Sequence, residues 1–294
     1  QSIIRFNFVS NRPISEDFYL SIQELKETET VTNANNLRKL EEFTGLKNKD
    51  LIDLFKLIKF QTDEDNYLIQ RESLTQEIQY YLAGADIQAP IALKELITCK
   101  ALSENAESPE VTKLDVLRTL NTNEEELFPV KNLIKKISSP IARVQTTQII
   151  DQILQSNEQT FIIQAEGGVG KSIFATQISA YLPDNSICVV FDCFGNGDYR
   201  RSSSARHMHK VGLVQIANEL ASQGLCHPLI PSLNATSKDY IKAFLHRLKQ
   251  ATEKTALLNK DDTSIFVVID AADNAQMAAK EFNDGRSFTV DLMQ

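Results

Sequence analysis

Cysteine is scarce and scattered: Cys99, Cys188, Cys193 and Cys226 are the four in 294 residues. So few, so spread, they build no disulfide framework, and reduced thiols in a cytoplasmic protein are the expectation. Cys188 and Cys193 stand five apart in one strand-like run, facing opposite sides, and do not pair easily. No window approaches the ~20 consecutive apolar residues that a membrane span requires. The opening Gln1-Ser2-Ile3-Ile4-Arg5 lacks the regions of a signal peptide and does not begin with Met, which predicts a segment of a longer protein. Positive charge is also short, at a net −8 and a pI near 5.2, which argues against a surface that coats nucleic acid nonspecifically. What remains is ordinary globular composition, 42% hydrophobic and 24% charged, and a length that suits about two domains.

Residues 2–9 alternate apolar and polar, with Ile4, Phe6 and Phe8 on one side, which predicts a strand before the break at Asn11-Arg12-Pro13. Residues 1–13 thus read as the end of a preceding effector domain or a linker strand. Residues 14–138 read as an all-helical adaptor. Glycine is nearly absent there, and Leu37, Leu40, Phe43, Leu51, Leu54, Phe55 and Ile58 recur at three- and four-residue spacing. Breaks are expected at Gly45, Gly84, Pro90 and Pro109. Nothing in this stretch gathers polar groups at a chemically suggestive spacing.

After Ser138-Ser139-Pro140 the pattern changes to strands alternating with helices, an α/β fold with a parallel sheet, over 139–294. Strands are predicted at 160–164, 187–194 and 264–269. Helices are expected around Ile149–Leu154, around Phe174–Leu182 up to Pro183, around Leu213–Leu220 with Gly224 as C-cap, and around Tyr240–Leu248.

Between the first of those strands and its helix stands Ala165-Glu166-Gly167-Gly168-Val169-Gly170-Lys171-Ser172. Such a loop turns successive backbone N–H groups onto phosphate oxygens. Its Lys reaches the β- and γ-phosphates, and its Ser hydroxyl holds Mg²⁺. Glu166 to Ser172, with Ile173 opening the helix, are therefore the expected nucleotide-binding residues. Ala165 replaces the first glycine of the pattern, at a position where a small residue suffices. The metal needs a second oxygen ligand from the end of another buried strand, and Asp270 fits, closing Ile265-Phe266-Val267-Val268-Ile269. Asp273 follows at the spacing suited to orienting an attacking water.

Three other patterns carry less. Asn259-Lys260-Asp261-Asp262 spells a guanine-reading motif, but it precedes the Asp270 strand instead of following it, so a polar loop is the better reading. Cys193, His207, His209, Cys226 and His227 match no standard zinc spacing. The basic run from Arg200-Arg201 to Lys210 reads as a solvated loop before a helix, ahead of a nucleic-acid patch.

The loop together with Ile265-Phe266-Val267-Val268-Ile269-Asp270-Ala271-Ala272-Asp273-Asn274-Ala275 resembles the STAND class of signal-transducing ATPases in their NACHT-like form, most closely bacterial antiphage proteins of the Avs type. Asp192-Cys193-Phe194-Gly195-Asn196-Gly197, Gln215-Ile216-Ala217-Asn218-Glu219-Leu220 and Tyr81-Leu82-Ala83-Gly84-Ala85-Asp86 carry the likeness further. The resemblance implies an ATP- and Mg²⁺-dependent switch of low turnover. In the family an N-terminal effector, often a nuclease, precedes the ATPase and a C-terminal sensor of phage protein follows it, and ATP-bound homo-oligomers activate the effector. By position it assigns Lys171 to the phosphates, Ser172 and Asp270 to Mg²⁺, Asp273 to hydrolysis and Arg143 to the border of the adenine pocket. Asn274 stands where family members usually have Glu, and an amide cannot act as a base. On this reading the sheet is incomplete at its C-terminal side, the sensor and effector lie outside the chain, nucleic acid is met only through that effector, and no membrane is involved. A nucleotide-independent scaffold with a degenerate loop, and a small-molecule kinase, are the competing readings.

Overall fold

The computed structural model describes residues 6–10, 14–62, 67–102, 110–135, 137, 141, 143–202, 204–258 and 264–293. The guanine-type motif at 259–262, Pro109 and Ser138-Ser139-Pro140 lie outside them. Packing divides the chain into two units, Gln1–Leu74 and Thr75–Gln294.

The first unit contains β1 (Phe6–Ser10), α1 (Glu16–Thr28), α2 (Ala34–Thr44), α3 (Asn48–Leu57) and β2 (Ile58–Thr62), and α4 (Tyr67–Tyr81) continues into the second. Ile22 and Leu25 of α1, Leu40 of α2, and Leu51 and Phe55 of α3 form its core. Asn33 opens α2 by accepting from the Asn35 and Asn36 amides, and Gly45 closes it in the left-handed region at φ 69°. One expectation fails here. Ile58 continues the helical spacing of α3, yet its backbone is extended and it begins β2, pairing in parallel with β1 from Phe6↔Ile58 to Ser10↔Thr62. The stretch read as all-helical therefore contains a strand, and β1 belongs to the same unit as the helices that follow it. Register with β1 overrode helical spacing.

The second unit adds α5 (Gln88–Leu102), α6 (Lys113–Thr119), α7 (Glu124–Leu127), α8 (Val144–Gln155), α9 (Lys171–Gln177), β3 (Ile187–Asp192), α10 (His209–Ser222), α11 (Ser237–Leu258), β4 (Ile265–Asp270), α12 (Ala272–Glu281) and α13 (Phe288–Leu292). Pro90 breaks nothing: it sits in the first turn of α5, where the missing N–H has no helical partner to lose. β3 and β4 run parallel, in register from Ile187↔Ile265 to Asp192↔Asp270, so the unit is mixed α/β. Residues 160–164 correct the prediction: they form no strand and stand exposed, with Ile162 at 76%. Apolar, β-branched composition favours a strand, but a strand exists only by pairing, and these residues pair with neither β3 nor β4.

α10 is buried along most of its length, with Leu213, Val214, Ile216, Ala217 and Leu220 each at 0%. It packs against β3 and α11, and Phe288 of α13 meets Phe191 of β3 edge-on at 5.2 Å. Gly224 follows the helix at φ 74°. Within this unit the helices of residues 75–127 are tied into the body: Leu82 bridges to Ile230, and the side chain of Asn218 donates to the carbonyls of Leu127 and Leu229 at 2.8 and 3.0 Å. Among the described residues no helix is long and apolar enough to cross a membrane.

Candidate functional site

The glycine loop is shaped by backbone positions that a side chain would strain. Gly168 has φ +81° and Gly170, which precedes α9, has φ +96°. Lys171 folds back over the loop, its Nζ donating to the carbonyls of Ala165 at 2.6 Å and Glu166 at 2.8 Å. Arg143, just ahead of α8, reaches across to the Val169 carbonyl, and a Cβ on Gly170 would lie 3.1 Å from its Nη1. Glu166, Gly167, Gly168 and Val169 are exposed, and Ile173 is half-buried on α9.

α9 packs against β4, and this brings the loop to the end of the sheet. The Ser172 side chain and the Ala271 amide lie close enough to the Asp270 carboxyl to pull its pKa down. Asp270 is only 7% exposed. Burial foremost, and the neighbouring Asp192 charge, push its carboxyl above the usual range, against the pull of Ser172, Ala271 and the Lys171 ammonium. Ala271 is left-handed at φ 55°, ψ 44°, an uncommon conformation for a residue with a Cβ. Asp273 is exposed in the first turn of α12, and Asn274 beside it is half-buried. Lys171, Ser172 and Asp270 are thus gathered at one point, with Arg143 on the opposite flank of the loop.

Two residues that the sequence reading assigned no role stand behind this point. Asp192, 3% exposed, is the register partner of Asp270. Its Oδ1 accepts the amides of Phe194 at 3.0 Å and Gly195 at 2.8 Å, and its Oδ2 accepts the amide of Leu133 at 3.0 Å. Arg206 is also 3% exposed, which overturns the solvated reading at that residue, whereas Lys210 at the end of the basic run is exposed. Its guanidinium donates to the carbonyls of Asp192 at 2.6 Å and Lys131 at 2.8 Å. Burial pulls its pKa down, and the Asp192 and Asp198 charges oppose that. Arg200 and Arg201 remain exposed. His207 and His209, weighed above as zinc ligands, instead set Nε2 against carboxylates, 2.7 Å from Asp284 and 2.8 Å from Asp291.

The arrangement is that of an α/β unit whose parallel strands end in buried carboxylates, with Asp270 beside a glycine loop. Across it, from Arg143 through the loop and Asp270 to α13, the chain is similar to a known family: the model of the nephrocystin 3 N-terminal region matches residues 143–288. No curated protein matches the chain.

Proposed function

We propose that residues 143–293 bind Mg·ATP as a P-loop unit of the STAND, NACHT-like type, serving as the switch of a signalling protein of the antiphage Avs kind. The observation that carries this reading is the packing of α9 on β4, which sets Ser172 and Lys171 of the loop beside the buried strand-end carboxylate Asp270. A hydroxyl and a carboxylate are hard oxygen donors, and they suit Mg²⁺, which takes few protein ligands and keeps water on its other positions. When bound, Mg²⁺ would neutralise charge on the β- and γ-phosphates.

The chain's own residues do the rest. Lys171 exchanges the Ala165 and Glu166 carbonyls for phosphate oxygens, and the amides of Gly167 to Ser172 line the anion. Arg143 holds the loop closed through Val169 and borders the base. Asp273 orients water, and with Asn274 unable to take a proton, hydrolysis is slow. A cytoplasmic location, homo-oligomerisation, a phage-protein trigger and an effector such as a nuclease are parts of the same proposal. The scaffold reading has one observation in its favour, the exposed and unpaired segment 160–164.

Thermal unfolding with Mg·ATP, Mg·GTP and neither, beside Lys171→Ala, tests it. A ligand at a hundred times its Kd adds about 2.7 kcal/mol to the folded state. A rise in Tm with ATP, smaller with GTP and lost in the variant, is the expected result, and no rise with either rejects nucleotide binding.

A further inference from the structure

Resting on that nucleotide-binding reading, we propose that Arg206 is a positioning residue for the metal end of the site, clamping the segment 130–134 to the strand end beside Asp270. The geometry is a chain of short contacts. Cys193 donates its amide to the Asp270 carbonyl at 3.0 Å, so the turn after β3 is fastened to β4 at the metal-binding carboxylate. Asp192, one residue earlier, accepts three backbone amides through its side-chain oxygens, and its Oδ2 lies 3.8 Å from Arg206 Nη1. Arg206 then joins the Asp192 carbonyl to the Lys131 carbonyl, with a side chain only 3% exposed.

Segment 130–134 lies along β3 at the same place. Asn132 donates through its side chain to Val190 at 3.2 Å, Leu133 donates its amide to Asp192, and Val130 donates its amide to Gln215 at 3.2 Å. A guanidinium presents its donors in a rigid planar fork and so serves two carbonyls in fixed directions. Gly195 makes room for it: a Cβ there would lie 2.2 Å from Arg206 Nε, an atom with no hydrogen-bond partner among the described residues. A displaced Arg206 would free the 192–195 turn and segment 130–134 together, and Asp270 would lose its backbone anchor on one side.

The test compares the full chain with Arg206→Lys and Arg206→Met, titrating a fluorescent ATP analogue with Mg²⁺ and with EDTA. Positioning predicts that Arg206→Lys loses roughly tenfold in affinity with Mg²⁺ and little in EDTA, because residues that orient metal ligands act through the metal. A purely structural role would move both alike. A folded Arg206→Lys with unchanged affinity in Mg²⁺ overturns the proposal, as does an equal loss in both conditions. If neither variant folds, hydrogen exchange on the unaltered chain decides. The Leu133 amide should slow with Mg·ATP and not in Lys171→Ala, and slowing at Ser172 without any at Leu133 overturns the clamp. An unaltered chain that binds no nucleotide rejects the P-loop reading itself, a failure visible before any Arg206 variant is made.

Discussion

The Ser172 side chain comes up beside the Asp270 carboxyl, although 97 residues of chain separate them and no feature of either segment alone requires it to. The contact depends on α9 lying against β4, so it reports the packing of the loop helix on the sheet.

Ser172→Ala and Asp270→Asn should each weaken Mg-dependent nucleotide binding by ~10–100-fold, with their combination weaker than the product of the two. A double-mutant cycle on affinity measures the coupling, expected at about 0.5–3 kcal/mol for touching groups. Additive effects would mean that the two residues serve separate ends.

Asp270 also sets a pH dependence. Its carboxyl is raised by burial and Asp192, so the folded state holds that proton more tightly than the unfolded chain. Stability without nucleotide therefore falls as pH rises from the ordinary carboxylate range through the raised value, and the cost persists at neutral pH. Asp270→Asn should melt higher than the unaltered chain at neutral pH, with the gap closing in acid. A variant that melts lower at neutral pH would contradict this.

Ala271 predicts a second gain. At φ 55° a Cβ crowds the backbone by about 1–2 kcal/mol, more than glycine costs in unfolded-state freedom, so Ala271→Gly should stabilise by roughly 0.5–1 kcal/mol. Denaturant titration checks it, and a loss of stability would show that the Cβ makes a contact worth more than its strain.

Gly212 runs the opposite way. Helix propensity alone favours Ala there by about 1 kcal/mol. A Cβ would, however, stand 2.3 Å from Cε1 of Phe288, whose ring is fully buried. Overpacking of this kind costs roughly 1–3 kcal/mol, so Gly212→Ala should be net destabilising, and Phe288→Leu added to it should recover part of the loss. Thermal melts of the two variants decide between propensity and packing.

The sequence carried the elements whose signal is local. α10 was legible because Leu213, Ala217 and Leu220 stripe one face at helical spacing before Gly224, and β3 and β4 because each is a short apolar run ending in Asp. Lys171 and Asp270 were legible as motif and strand end. Arg206 was not: its charge and its neighbours Arg200 and Arg201 argue for solvent, and its partners are backbone carbonyls 14 and 75 residues away. No periodicity records such a bond. Ile58 misled in the reverse sense, extending a helical spacing by one residue into a strand. Segment 160–164 has the composition of a strand, but composition cannot supply the neighbour that pairing needs.

The bonds that finish α10 come late in the chain. His207 and His209 find their carboxylates 77 and 82 residues downstream, and Phe288, whose amide donates to the His207 carbonyl, covers Gly212. During synthesis at ~5–20 residues per second, this deeply buried helix waits roughly 4–16 s before Asp291 is made. For that interval it is a sticky, unsatisfied segment, so the nascent chain is most vulnerable to aggregation while β4 and α12 are still being translated.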